Sequence, residues 1–156
     1  MGNITNIPYS ELAIGQSASM IKKITNDDVV LFGCLTGDIN PIHFDSEYAK
    51  NTRFKARIAH GMISGSLISA VLGMQLPGTG TIYLNQTLNF CYPVYIDDTI
   101  TVTVTVKEKK EKNRVVLDCI CTNQNGKVVT EGQAEVIAPA EKITCEAVNL
   151  PKPQFV

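Results

Sequence analysis

Asp38 and His43 lie five residues apart in the stretch Asp38-Ile39-Asn40-Pro41-Ile42-His43. A carboxylate and an imidazole at a fixed separation can hold one water between them. One group takes its proton while the other orients it or returns a proton. Pro41 cannot continue a preceding helix, and its ring stiffens the chain. Asn40, just before it, is pushed toward extended backbone. A stiff loop of this kind holds two side chains at a set distance, as acid–base catalysis requires, and function concentrates on loops. The same residues also have a structural use. An Asp just past a helix end can organise the turn, and a single His beside a core can be satisfied by a neighbour.

A second group is Ala59-His60-Gly61-Met62, at the start of a long apolar run. A helix beginning there presents free N–H groups and the positive end of its dipole. Gly61 lets a ligand approach the backbone closely, so a carbonyl oxygen placed against it would be stabilised as charge builds on it. Alternatively, Gly61 serves tight packing and His60 is a capping or packing residue. Ser64, Ser66 and Ser69 follow in the same run, and buried helical serines mostly bond back to a carbonyl one turn earlier.

Other elements must position these groups. From Ile58 to Ile96 the chain has no Asp, Glu, Lys or Arg. Residues 61 to 78 are apolar or small on every side and end in Pro77-Gly78, which predicts a helix buried all round. It is too short and too rich in Gly and Ser for a membrane span. Period-2 alternation follows in Thr81 to Cys91, Thr99 to Lys107, Val115 to Thr122 and Lys127 to Ile137, with one more strand expected from Gln16 to Lys23. Asn125-Gly126 marks a two-residue hairpin turn. The charged run Lys107 to Lys112, with Arg114, reads as the solvated turn of the preceding hairpin. A sheet of such strands has one apolar face, and curling it around one buried helix satisfies both elements. The expected class is therefore α+β, a hot-dog fold: an antiparallel sheet wrapped around a central helix. A further helix is predicted from Thr25, with Asp27 and Asp28 in its first turn, to a C-terminal cap at Gly37, and a short helical piece around Ser46 to Lys50. The expected organisation is one domain over residues 1–138 and a loosely attached, proline-containing tail over 139–156.

The chain has 156 residues, 44% hydrophobic and 19% charged, with a net charge of −1. This composition suits one folded domain and gives no reason to expect nucleic acid or a membrane as partner. The N-terminus lacks a basic stretch followed by an apolar run, so no secretion signal is expected. The five cysteines match no zinc spacing, and buried thiols in a reducing cytoplasm are expected.

The stretch Phe32-Gly33-Cys34-Leu35-Thr36-Gly37-Asp38-Ile39-Asn40-Pro41-Ile42-His43, continued to Ala49, resembles the hydratase-2 motif of the MaoC-like family, which contains R-specific enoyl-CoA hydratases. It is matched residue by residue at Asp38, Asn40, Pro41, His43 and Ala49. Ile58-Ala59-His60-Gly61-Met62 and Leu76-Pro77-Gly78 through Ile82-Tyr83-Leu84 also resemble short members, and the resemblance covers roughly residues 12 to 138. It implies a hot-dog homodimer that adds water to 2-enoyl-CoA, reversibly, giving the R-3-hydroxyacyl-CoA. It implies Asp38 and His43 as the catalytic pair, Asn40 as support, and the Gly61 amide on the thioester oxygen. Ser69 would hydrogen-bond the catalytic residues, and Leu72 would limit acyl length. No metal or other cofactor is implied. The thioester carrier is either CoA or an acyl-carrier protein. Two rivals share the fold: an acyl-CoA thioesterase and a non-catalytic acyl-CoA binding module. The tail would be either a linker to a fused acyltransferase domain or a natural C-terminus.

Overall fold

The computed structural model describes residues 2–151 and Pro153. Each period-2 stretch becomes a strand, because alternating apolar side chains give a strand one face to bury. Two short strands, β1 (Asn3–Thr5) and β7 (Thr144–Glu146), pair with each other. The other five are β2 (Ser17–Lys23), β3 (Ile82–Phe90), β4 (Thr99–Lys109), β5 (Arg114–Thr122) and β6 (Val128–Ile137). They form one antiparallel sheet in the order β2-β4-β5-β6-β3. Its inner face carries Ile100, Val102, Val104 and Val106 from β4, Val115 and Leu117 from β5, and Ala134 and Val136 from β6, all buried. This face closes on helix α4 (Gly61–Met74), which contributes Ile63, Ile68, Val71 and Leu72 to the same core. This is the hot-dog arrangement.

The β5–β6 turn lies where Asn125-Gly126 marks it but is longer than the expected two residues: the Asn123 amide donates to the Lys127 carbonyl, leaving residues 124–126 between them, because Gly126 alone takes the left-handed conformation and Asn125 does not. At the β5–β6 hairpin Gly126 takes a φ of +73°, and the Asn123 side chain accepts from the Asn125 and Lys127 amides. The charged run differs from its expected form. β4 continues through Lys109, so only Lys110 to Asn113 turn. Lys107 then reaches Asp118, while Lys110 and Arg114 flank Glu135. Cross-strand charge pairs explain why a polar segment extends the sheet.

Two expectations about coverage change. α4 is not buried all round: Met62 and Met74 are exposed on it, as are Ser66 and Ser69. One curved sheet covers one side of a helix, and the other side stays open within a single chain. The segment after residue 138 is also not loose where it is described. β7 pairs with β1, and the Asn6 side chain bridges the Ile143 amide and the Glu141 carbonyl. Lys152 and residues 154–156 of the expected tail lie outside the described residues. No helix among the described residues is long and apolar enough to cross a membrane.

Candidate active site

Helix α1 (Asn26–Thr36) delivers the first site residue. Its start is fixed by a capping box in which Thr25 and Asp28 bond each other's backbone amides. Its end is fixed by Gly37 in the left-handed conformation, φ +75°. Asp38 comes next, its amide donating to Thr36 Oγ1 at 3.2 Å. Its carboxylate oxygen Oδ1 accepts from the Asn40 amide at 3.2 Å. One oxygen thus organises the turn, and the side chain as a whole remains 51% exposed.

The expected loop is partly helical. Asn40 caps a one-turn helix, α2 (Pro41–Phe44), its side chain accepting from the Ile42 amide at 3.2 Å. Pro41 therefore starts a helix as well as stiffening the segment. Asp45 then caps α3 (Ser46–Lys50). Asn40 thereby caps the turn that carries His43.

His43 is buried, 8% exposed, and its Nδ1 lies 2.8 Å from the Ile58 carbonyl. A carbonyl only accepts, so Nδ1 carries the proton and Nε2 presents a lone pair. Burial holds the imidazole below its ordinary pKa, and the neighbouring His60 pushes the same way. The Ile58 carbonyl and the Asp38 carboxylate oppose them. Neutral His43 is thus favoured as a proton acceptor. Arg57 fixes the backbone here: its Nε donates to the His43 carbonyl and its Nη2 to Asn26 Oδ1, each at 2.7 Å. The sequence reading missed Arg57, because no local pattern reports a bond from residue 57 to residue 43.

The third part is the start of α4. Gly61 is its first residue, and a Cβ there would come within 3.0 Å of the Phe90 ring. The packing use is seen directly, since the missing side chain admits Phe90. The Gly61 amide, at the first position of the helix, has no preceding helical carbonyl to bond, while the Ile63 amide already donates to the His60 carbonyl at 3.0 Å. Asp38, His43, His60 and Gly61 all line one cavity of about 250 Å³. His43 and Gly61 also line a neighbouring cavity of about 410 Å³, walled by Phe54, Phe90 and Val94 and flanked by Arg53.

Two expected residues fall elsewhere. Ser69 is exposed and makes no hydrogen bond to Asp38 or His43 among the described residues. It stands eight residues beyond Gly61, about 12 Å along the helix axis at 1.5 Å per residue. Ser64, by contrast, is buried and lines the larger cavity with His43. Leu72 is fully buried in the core and lines neither of these two cavities. As for metals, one carboxylate oxygen of Asp38 and one nitrogen each of His43 and His60 lie within 4.8 Å of one another. The two imidazoles are stacked at 3.8 Å and 28°. Ring lone pairs lie in the ring plane, so stacked rings do not aim theirs at one point, and the trio suits proton transfer better than chelation. All five cysteines are unpaired, and burial pushes the thiols of Cys119 and Cys121 up to about 11 and about 12.

Comparison with known proteins identifies the family. The model of the MaoC like domain matches residues 12–133. An (R)-specific enoyl-CoA hydratase of Rhodospirillum rubrum is 51% identical over 133 residues, 85% of this chain and 92% of the relative. A 3-hydroxybutyryl-CoA dehydratase of Methylorubrum extorquens is 44% identical over 86% of this chain and 85% of its own. The structure of R-hydratase PhaJ1 from Pseudomonas aeruginosa superposes with a TM-score of 0.95 at 48% identity, covering 99% of this chain and 100% of that one. The chain belongs to the MaoC-like family.

Proposed function

We propose that this chain is an R-specific 2-enoyl-CoA hydratase, a hydro-lyase adding water across the double bond of a thioester. The observation that carries the reading is the single cavity shared by Asp38, His43 and the amide end of α4 at Gly61. A water held between the Asp38 carboxylate and the Nε2 lone pair of His43 gives its oxygen to C3 and a proton to the pair. The electrons of the double bond move onto the thioester oxygen, where the Gly61 amide supports the enolate. A proton then passes from the pair to C2, so atoms and charge balance in either direction. Both residues act as one coupled acid–base unit.

The carrier is CoA, with Arg53 at the larger cavity as the cation for its phosphates. Two copies associate through β3. It is an edge strand with Ile82, Leu84 and Phe90 exposed, and such an edge needs a cover. Leu72, on the core-facing side of α4, limits acyl length through the packing it supports. The unpaired thiols fit a cytoplasmic setting.

Crotonyl-CoA tests the reading. The protein should remove the enoyl-thioester absorbance without releasing free thiol, and the product should be the R-3-hydroxy isomer on chiral chromatography. Thiol release would make it a thioesterase, and binding without loss of the band would make it a binding module.

A further inference from the structure

His60 is unexplained by the chemistry above, although it sits at the centre of the site. It is 4% exposed, and its Nδ1 is buried with no hydrogen-bond partner among the described residues. Its Nε2 lies 2.9 Å from the Asp38 backbone carbonyl, while Asp38 Oδ2 is 3.9 Å away, beyond bonding range. The carbonyl only accepts, so Nε2 carries the proton. A second proton on Nδ1 would bury a charged donor with nothing to receive it. The ring stacks on His43 with centroids 3.8 Å apart, and Phe32 and Phe44 close around it at 5.0 Å and 5.7 Å. As the residue capping α4, His60 also directly precedes the Gly61 amide.

We propose that His60 is a positioning residue for the reaction, a Nε2–H imidazole that pins the Asp38 backbone to the start of α4 and backs the His43 ring. It links the three parts of the site: the carboxylate through its backbone carbonyl, the base through the stack, and the amide through the chain. The two imidazoles are opposite tautomers, His43 protonated on Nδ1 and His60 on Nε2. Asp38 needs such a pin because its own side chain is half in solvent and its only other hydrogen bonds among the described residues are two of 3.2 Å, from its amide to Thr36 Oγ1 and from the Asn40 amide to its Oδ1. A displacement of about 1 Å in such a group is worth about 10²-fold in rate.

The kinetic consequence rests on the hydratase reading, but the tautomers do not. The chain has only two histidines, so long-range ¹H–¹⁵N spectra of histidine-labelled protein contain two ring systems, assigned by the loss of one in His60→Gln. One ring should show the Nδ1–H pattern and the ring lost in His60→Gln the Nε2–H pattern. A His60 ring protonated on Nδ1 would overturn the pin, whatever reaction the protein performs. In the second arm, His60→Phe keeps an aromatic ring but no donor, and His60→Gln keeps a donor but no ring. His60→Phe should lose about 10²-fold in kcat with KM within a few-fold, and His60→Gln should recover most of that loss. Equal activity of His60→Phe and wild type would also overturn it. Wild type inert toward crotonyl-CoA would instead sink the hydratase reading, with the spectra still deciding the pin.

Discussion

At its start α4 meets Asp38 through the bond from its cap, His60, and His43 through the stack of the two rings, and His60 Nδ1 has no hydrogen-bond partner among the described residues. Two turns later the same helix sets Ile68, Val71 and Leu72 against the sheet with essentially no exposure. The first end also leaves the Gly61 amide at the cavity without a helical carbonyl, which a substrate can use; the second is fully packed, which only stability can use. Substitutions at the first end should therefore register as rate, and at the second as unfolding free energy.

The largest expected effect is at the polar end. His43→Ala should lower kcat by about 10²–10⁴-fold, with a thermal midpoint close to wild type; near-wild-type turnover would remove His43 from the chemistry. At the packed end, Leu72→Ala should cost about 2–5 kcal/mol of stability in a denaturant titration. It should also admit longer enoyl chains, and an unchanged acyl-length profile would separate Leu72 from the acyl pocket. Between the two stands Asn40→Ala, which removes the cap of α2. A loss of about 1 kcal/mol, together with a fall in kcat, would show that the cap serves the site; stability loss alone would make it a turn residue only.

The smallest effect concerns pH. His43 acts as a neutral base and its folded pKa is lowered. The acid limb of kcat/KM should then fall below the ordinary imidazole value of about 6.5. Because the unfolded chain binds this proton more readily, the same group costs stability as pH falls through its unfolded value. A limb at or above the ordinary value would contradict the environment described for His43.

Much of this contrast is legible in the sequence. The charge gap from Ile58 to Ile96 marks the core helix, and the alternation in Thr99 to Val106 marks a strand whose valines are in fact buried. Thr25 and Gly37 locate both ends of α1 because capping is local chemistry. What the pattern does not encode is which molecule covers a face. β3 alternates much as β4 does, yet Ile82, Leu84 and Phe90 are exposed because β3 lies at the sheet edge. The open side of α4 escapes the sequence for the same reason. Contacts distant along the chain are equally silent: the β1–β7 pairing, the reach of Arg57 to His43, and the bond from His60 to Asp38. Ser69, expected at the site, is exposed on α4 and lines neither cavity, because it lies on the side of the helix that the sheet leaves open.

The central claim, that Asp38 works on water and does not merely hold a turn, is tested most directly by Asp38→Asn with crotonyl-CoA. Asparagine keeps the oxygen that accepts from the Asn40 amide and loses only the charge. A fall of about 10²-fold or more in the rate of enoyl-band loss, with an unchanged thermal midpoint, is the predicted result. Wild-type turnover in Asp38→Asn would contradict the account and leave Asp38 as the organiser of a turn.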